Sequence, residues 1–470
     1  MSERRWITFL SSTVAELVPT PMIRPVHRRL LIAAIVIAIA SVVAGASKQH
    51  AVRPIAHPNG PTFSKEVVRV FQDHCQSCHH PGDIAPFSLM DYASAKPYAT
   101  QIEVMTQTHQ MPPWKPTPDC GNFAETRSMT SDEIATITRW VDGGAPEGNR
   151  ADLPAPIDFS SGWTLGQPDL VLSYPETFTP AAQGDTYRCL PLPTNLTSDQ
   201  YVSAIDIHPG DRKTVHHVIA FIDKNGDSAR LDAAEPGAGY TCFGGPGFSI
   251  NDPGAATLGG WAPGTVATRL PEQVAFTLPK ASSVVLQVHY HPHDSQPQPD
   301  KTEIGIYFAR KVPQQKLYVL PLINDQFTIP PGDSNYQVVA PPNGPFATPV
   351  GVHIWAIFPH MHLLGRKMNV KAQLPNGNSE CLINIDDWDF NWQGMYQYKS
   401  PVAIPGGSRL SATAFYDNSA GNMRNPNYPP RAVSWGEQTT DEMCIAFLAF
   451  SVDSSTTSTK TDTSWVPTWR

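Results

Sequence analysis

From about residue 163 onward the chain is a succession of short β-branched runs, each broken by Pro or Gly. The clearest lie at 201–207, 215–222, 284–290, 303–308, 350–358, 368–374 and 444–450. Proline offers no N–H to a strand ladder, so a chain with 47 of them is held to short strands with turns between. Strands spaced this way, with no helices intervening, form antiparallel sandwiches or barrels rather than a wound parallel sheet. Roughly 300 residues of such sequence exceed one core. Two sandwiches are therefore expected, over 163–320 and 321–453, ahead of a Ser/Thr-rich tail at 454–470.

The stretch 61–146 has a different period. Phe63, Val67, Val70 and Phe71 recur at helical spacing, and so do Ile134, Ile137 and Val141. The second run opens with Thr130-Ser131-Asp132-Glu133, a capping box whose hydroxyl and carboxylate satisfy orphan N–H groups. It stops at Gly143-Gly144 and Pro146. The Pro/Gly/Asp/Ser-rich residues 147–162 read as a linker. The expected fold class is multidomain: a small all-α domain followed by two all-β antiparallel sandwiches.

A formal charge of −8 and the lack of a basic stripe exclude nucleic acid as a partner. Near the start, Arg24, His27, Arg28 and Arg29 precede an uncharged apolar run at 30–46 that ends in Ala44-Gly45-Ala46. This is the pattern of an export signal, assigned to 1–50. A membrane span needs about 20 apolar residues, so cleavage is expected over anchoring. The residues before Arg24 point either to a start at Met22 or to an uncleaved anchor that would tether the chain to a membrane. The bulk of the chain is expected outside the cytoplasm, in the periplasm. There its seven cysteines tend to pair, and the odd count leaves at least one for other work.

Cys75-Gln76-Ser77-Cys78-His79 is a Cys-x-x-Cys-His pattern. Two thiols one helical turn apart can both add to haem vinyl groups, and the adjacent His falls under the iron. A zinc site would need a second pair, for which only Cys120 and His109 are near, and a thioredoxin-like pair would need a βαβ setting. Covalent haem c is therefore expected here. Its sixth ligand is assigned to Met111 of Met111-Pro112-Pro113-Trp114, where two prolines stiffen the loop, with Met90, Met105 and Met129 read as core residues. The stretch resembles bacterial c-type cytochrome domains, through Cys75–His79, Pro81-Gly82, 84–89, Met111–Trp114 and 140–146.

Histidines mark three places in the β region: His216-His217, His289 in Gln287-Val288-His289-Tyr290, and His360-Met361-His362. Strand alternation sets His360 and His362 on one face, within reach of one metal ion. Adjacent His216 and His217 point to opposite faces unless the strand kinks, so they share an ion only at a strand end or bulge. Imidazole suits copper, zinc, iron and nickel alike, so spacing alone gives only a His-rich metal site. His208 reads as a turn residue and His353 as interior to a sandwich. His291 and His293 are alternatives to His289.

These residues resemble the copper type II, ascorbate-dependent monooxygenases, from about Asp185-Thr186-Tyr187-Arg188-Cys189 to Asp441-Glu442-Met443-Cys444. The resemblance implies two packed β-sandwiches with one copper each. His216, His217 and His289 would hold an electron-transfer copper. His360, His362 and Met443 would hold the copper that meets dioxygen, and would be the catalytic set. It implies hydroxylation of a C–H bond of a small organic substrate with O2, with electrons from ascorbate or another redox protein. The attached haem is a route for those electrons. The chain departs from the peptide-amidating members at Phe358, Ile445 and Phe447, where they carry Arg, Asn and Tyr, so an apolar or aromatic substrate is expected over a peptide carboxylate. The family's cysteine partner for Cys444 is also missing, with Ala414 near its place. Cys444 is then expected to pair with Cys381, and Cys189 with Cys242, leaving Cys120 over. The runner-up function is a non-enzymatic haem and copper electron-transfer or copper-binding protein, which would have no need of an isolated thioether at Met443.

Overall fold

The computed structural model describes residues 60–159, 162–249, 256–291 and 297–453. The export signal at 1–50, His57, His293 and the tail at 454–470 lie outside the described residues. Among the described residues no helix is long and apolar enough to cross a membrane.

The first part is helical. A tight helical turn at Phe63–Val67 runs into α1 (Val68–His74), and α2 (Ala99–Gln107) and α3 (Ser131–Asp142) follow. The side chains that set the period are the ones that pack: Phe63, Val67, Phe71, Ile137 and Trp140 share one buried cluster. The capping box opens α3 as read, with the Thr130 N–H donating to Glu133 (2.7 Å) and the Glu133 N–H to Thr130 Oγ1 (3.3 Å). Gly144, at φ +86°, takes the left-handed position that ends the helix. The segment after it lies against α1, through Arg69 to the Asp152 carbonyl (3.1 Å) and Gln72 to that of Ala155 (2.8 Å).

The rest is mostly sandwich-like β-sheet. One five-stranded sheet orders Leu170–Ser173, Glu303–Phe308, Gln200–His208, Val274–Leu278 and Gln315–Lys316. A second orders Tyr240–Thr241, β1 (Thr186–Pro193), β3 (Ser283–Tyr290), β2 (Val215–Asp223) and Thr257–Trp261. Leu190, Val218, Ala220, Leu286, Val288 and Ile306 fill the space between them. Further along, Tyr318–Asn324, β5 (Cys444–Val452), β4 (Val352–His360) and Tyr396–Ile404 form a four-stranded sheet. It covers another built from Tyr336–Ala340, Arg409–Tyr416, Gly365–Gln373 and Ser379–Ile385. Alternation decides which side of β5 is core: Cys444, Ala446, Leu448 and Phe450 face inward, while Phe447 and Ala449 are half-buried on the other face. Among the described residues no sheet mixes strands from before and after residue 317.

The disulfides correct one expectation. Cys189 pairs with Cys242 as expected, but Cys381 pairs with Cys120 rather than with Cys444. The reason is the side each residue faces. Cys444 points into the sandwich core, whereas Cys381 is half-buried on an outer strand from which residues 116–124 cross to the Tyr396–Ile404 strand. There the Thr117 N–H donates to the Asn384 carbonyl (2.8 Å) and the Ala124 N–H to that of Gln397 (2.7 Å). Cys120 is thus half of a staple, and Cys444 is an unpaired buried thiol. His353 is not interior either: its side chain is 32% exposed and sits 2.7 Å from the Asp453 carboxylate. His208 ends a strand, stacked on Trp163.

Candidate metal centre

His216 and His217 lie on β2 and His289 on its antiparallel neighbour β3. The pairing runs Val215 to Tyr290 and then His217 to His289, so His216 is the extra residue of a bulge. That slip brings two adjacent imidazoles to one side. Nδ1 of His217 lies 3.3 Å from Nδ1 of His216 and 3.4 Å from Nδ1 of His289. Nε2 of His289 faces Asp185 Oδ1 at 3.2 Å. A carboxylate only accepts, so that nitrogen carries the proton and the His289 Nδ1 lone pair is left toward its neighbours. His216 Nε2 is buried with no partner, its ring stacked on Phe390 at 4.4 Å. Burial, and then the neighbouring histidines, holds His216 and His217 well below the usual imidazole range. Burial lowers His289 as well, against the pull of Asp185. Three neutral imidazoles with facing nitrogens suit a soft or borderline cation between them, and these residues fit copper.

The second cluster presents the opposite nitrogen. His360 ends β4, and His362 lies just beyond it with ring centroids 5.1 Å apart. His360 Nδ1 donates to Gln393 Oε1 (2.5 Å), whose orientation is fixed because Gln393 Nε2 donates to the Phe390 carbonyl (2.8 Å). His362 Nδ1 donates to the Asp441 carbonyl (3.1 Å). Both Nε2 atoms therefore keep their lone pairs. Burial pushes His360 down to about 4 and His362 to about 3, the form that can ligate. Met443 is buried two residues before Ile445, the cross-strand partner of His360. Two imidazoles and a thioether at one strand end suit Cu(I).

Two acidic residues to which the sequence reading gave no role organise these clusters. Glu442 is fully buried and accepts the N–H groups of Leu364 (2.6 Å), His362 (2.9 Å) and Met443 (3.2 Å). Burial raises its carboxyl to about 8 in spite of those bonds, and it ties the His362 turn to the Met443 segment. Asp185 takes His291 Nδ1 (2.6 Å) along with His289, and its other oxygen accepts the Thr439 N–H (3.0 Å). Burial raises its pKa, but those hydrogen bonds outweigh it and hold the carboxylate far below its usual range. Asp185 so joins the first cluster to the loop that leads into the second. The rings of His217 and His360 are 6.2 Å apart across the junction. Asp185, His289 and His291 form an alternative ligand group, so His291 is within reach of the same centre.

Cys75, Cys78, His79 and Met111 line one cavity of about 1100 Å³, together with Phe87, Leu89, Ile102 and Met105. Met105 and Met111 share this wall, whereas Met129 packs into the helical core. His79 Nδ1 donates to the Phe87 carbonyl (3.0 Å), leaving Nε2 free. The thiols are unpaired, and burial, then Cys78, pushes Cys75 up to about 12. Free thiols, a free imidazole nitrogen and a large apolar wall fit a covalently held haem. The far wall of the cavity is made by His216, His291 and Arg212, and Arg212 pairs with Asp83 at 2.6 Å.

The comparisons agree with this geometry. Residues 316–467 match the family described as "Copper type II ascorbate-dependent monooxygenase, C-terminal domain". "DBH-like monooxygenase protein 1" of Homo sapiens is 24% identical over 266 residues, 52% of this chain and 40% of that protein. "Dopamine beta-hydroxylase" of Homo sapiens is 25% identical over 212 residues, 41% of this chain and 32% of that protein. The chain spans about half or less of the length of such curated relatives. The family match covers residues 316–467, about a third of the chain, and the relatives are similar to it at 24% and 25% identity.

Proposed function

We propose that the chain is an exported copper monooxygenase that hydroxylates a C–H bond of a small organic substrate, with electrons arriving through its own c-type haem. The observation that carries the reading is the pair of histidine clusters, 6.2 Å apart at their nearest rings, presenting Nδ1 on one side and Nε2 on the other. His216, His217 and His289 hold one copper; His360, His362 and Met443 hold the other. Bound copper supplies one-electron steps and, at the second set, dioxygen activation. The balance is R–H, O2, two electrons and two protons giving R–OH and water. Burial of all five imidazoles keeps them unprotonated, and Glu442 and Asp185 keep them aimed.

Cys75 and Cys78 would hold a haem through their thiols, and His79 and Met111 would supply its iron with an imidazole and a thioether. The lining they share with His216 and His291 supports a haem held beside the first cluster, with ascorbate or another redox protein upstream. Zinc at the same motif would lack a third thiolate, since Cys120 is spent on Cys381. Thiols raised by burial are poor redox catalysts, which argues against a thioredoxin-like pair. The two disulfides accord with an oxidising compartment such as the periplasm.

The test is metal content and isotope transfer. Protein produced with haem and copper should carry about one iron and two coppers, and 18O2 should label the product of a substrate screen. Two coppers without any 18O transfer would leave the electron-relay reading; iron without copper would remove both.

A further inference from the structure

A small pocket lies where the sheet of β2 meets the sheet of β4 and β5, beside His217 of the first cluster and, through Gln393 and Phe358, beside His360 of the second. His217 closes one side, and Gln393, which holds His360 Nδ1, closes another. Its walls are Ile219, Phe221, Trp261, Phe358 and Phe447, and no Asp, Glu, Lys or Arg is among the residues that line it. Alternation explains the lining. Ile357, Ala446 and Leu448 go into the core, which leaves the cross-strand pair Phe358 and Phe447 turned outward with rings stacked 5.8 Å apart. The pocket holds about 90 Å³ and is part-open to solvent. That is below the ~150 Å³ of a dry cavity that takes benzene, so the pocket suits the end of a molecule rather than the whole.

A charged group in such a place would lose its water and gain no partner. An ammonium would need a carboxylate and a carboxylate would need a guanidinium, and neither stands in these walls. Resting on the copper monooxygenase reading, we infer that the substrate presents an uncharged hydrocarbon end, a short alkyl chain or a single ring, to the junction of the two clusters, between His217 and Gln393. Any charged group it carries stays outside the pocket. Selection is by apolar contact and exclusion of charge, with Phe358 and Phe447 as the deciding side chains.

The test is equilibrium binding to the oxidised, copper-loaded full chain without reductant, so that no turnover occurs. Ethylbenzene, 2-phenylethylamine and 3-phenylpropionate share a ring and differ in charge. Titration calorimetry should show saturable ethylbenzene binding at least tenfold tighter than either ion. Phe447→Arg should lose ethylbenzene binding tenfold or more and strengthen 3-phenylpropionate. Ala449→Leu fills the same pocket without charge and should also weaken ethylbenzene, with circular dichroism and two retained coppers certifying the fold. Equal or tighter binding of an ion by the unaltered chain overturns the inference, as does ethylbenzene binding that survives both variants. Neutral selectivity without 18O transfer would sink the monooxygenase reading alone; 18O transfer only to charged probes would sink the inference alone.

Discussion

The two histidine clusters use one residue type in opposite ways. In the first, a bulge on β2 gathers three rings with Nδ1 inward, and a carboxylate, Asp185, accepts a hydrogen bond from Nε2 on the far side of His289. In the second, neutral acceptors take Nδ1, the Gln393 amide at His360 and the Asp441 carbonyl at His362, so Nε2 faces inward. The nitrogen that ligates is set by what holds the other one. The first site is closed by three imidazoles on strands paired to each other. The second sits at a strand end, built from a turn and a separate segment. The apolar pocket lies beside both, with His217 lining it directly and His360 reached through Gln393 and Phe358.

The difference predicts unequal fragility. Glu442→Ala should have the largest effect, because it leaves the N–H groups of His362, Leu364 and Met443 without an acceptor in a buried place. At about 1–3 kcal/mol for each orphaned donor, several kcal/mol of stability should go. One copper should be lost while the first site keeps its own, as measured by metal content and thermal unfolding. Loss of both coppers together would mean that the clusters are not separable. Cys120→Ser comes next. It opens a bridge spanning 261 residues and should cost about 2–5 kcal/mol by denaturant titration, with two coppers retained. Loss of copper from the first site alone would show that the staple supports it through the cavity lined by Cys75, Met111 and His216.

The alternating and helical periods, the capping box at Thr130 and Glu133, and the His-x-His spacing could all be read because each is local. A need for a kink at His216-His217 could be read too, because two adjacent rings cannot share a face otherwise. The bulge itself depends on register with β3. What stayed hidden depends on packing between distant parts. Cys120 and Cys381 meet only because residues 116–124 cross from the Ser379–Ile385 strand to the Tyr396–Ile404 strand. Glu442 and Asp185 look like surface acids in sequence, since nothing local says that one will be enclosed by three N–H groups or the other by His289, His291 and Thr439. The pocket's apolar lining could be anticipated at Phe358 and Phe447, but Ile219 and Trp261 come from the other sheet pair.

Asp185→Asn sharpens the comparison from the other side. An amide keeps the shape but weakens the acceptor at His289, and losing such an outer partner lowers metal affinity about 10–100-fold. Competition with a chelator should show that loss at the first copper and less than a threefold change at the second. Equal losses would mean that the contact from Asp185 to Thr439 governs both sites.

The smallest effect concerns the loop between the clusters. Glu437 is raised to about 7, first by burial and then by Asp441, while its carbonyl takes the hydroxyl of Tyr187, whose ring stacks on His289. A carboxyl raised in the folded state adds stability that is whole below its ordinary value near 4.5 and is lost as pH climbs through 7. Unfolding free energy should therefore fall between pH 4.5 and 7 by about 1–2 kcal/mol from this group, solvent screening allowed for. Glu437→Gln should remove that part of the slope. The difference between variant and parent in denaturant titrations at pH 5 and 8 isolates it from Glu442, which titrates in the same direction in both. Parallel slopes would mean that Glu437 is ionised across the range, so that the Tyr187 contact alone, through its carbonyl, fastens this loop to the first cluster.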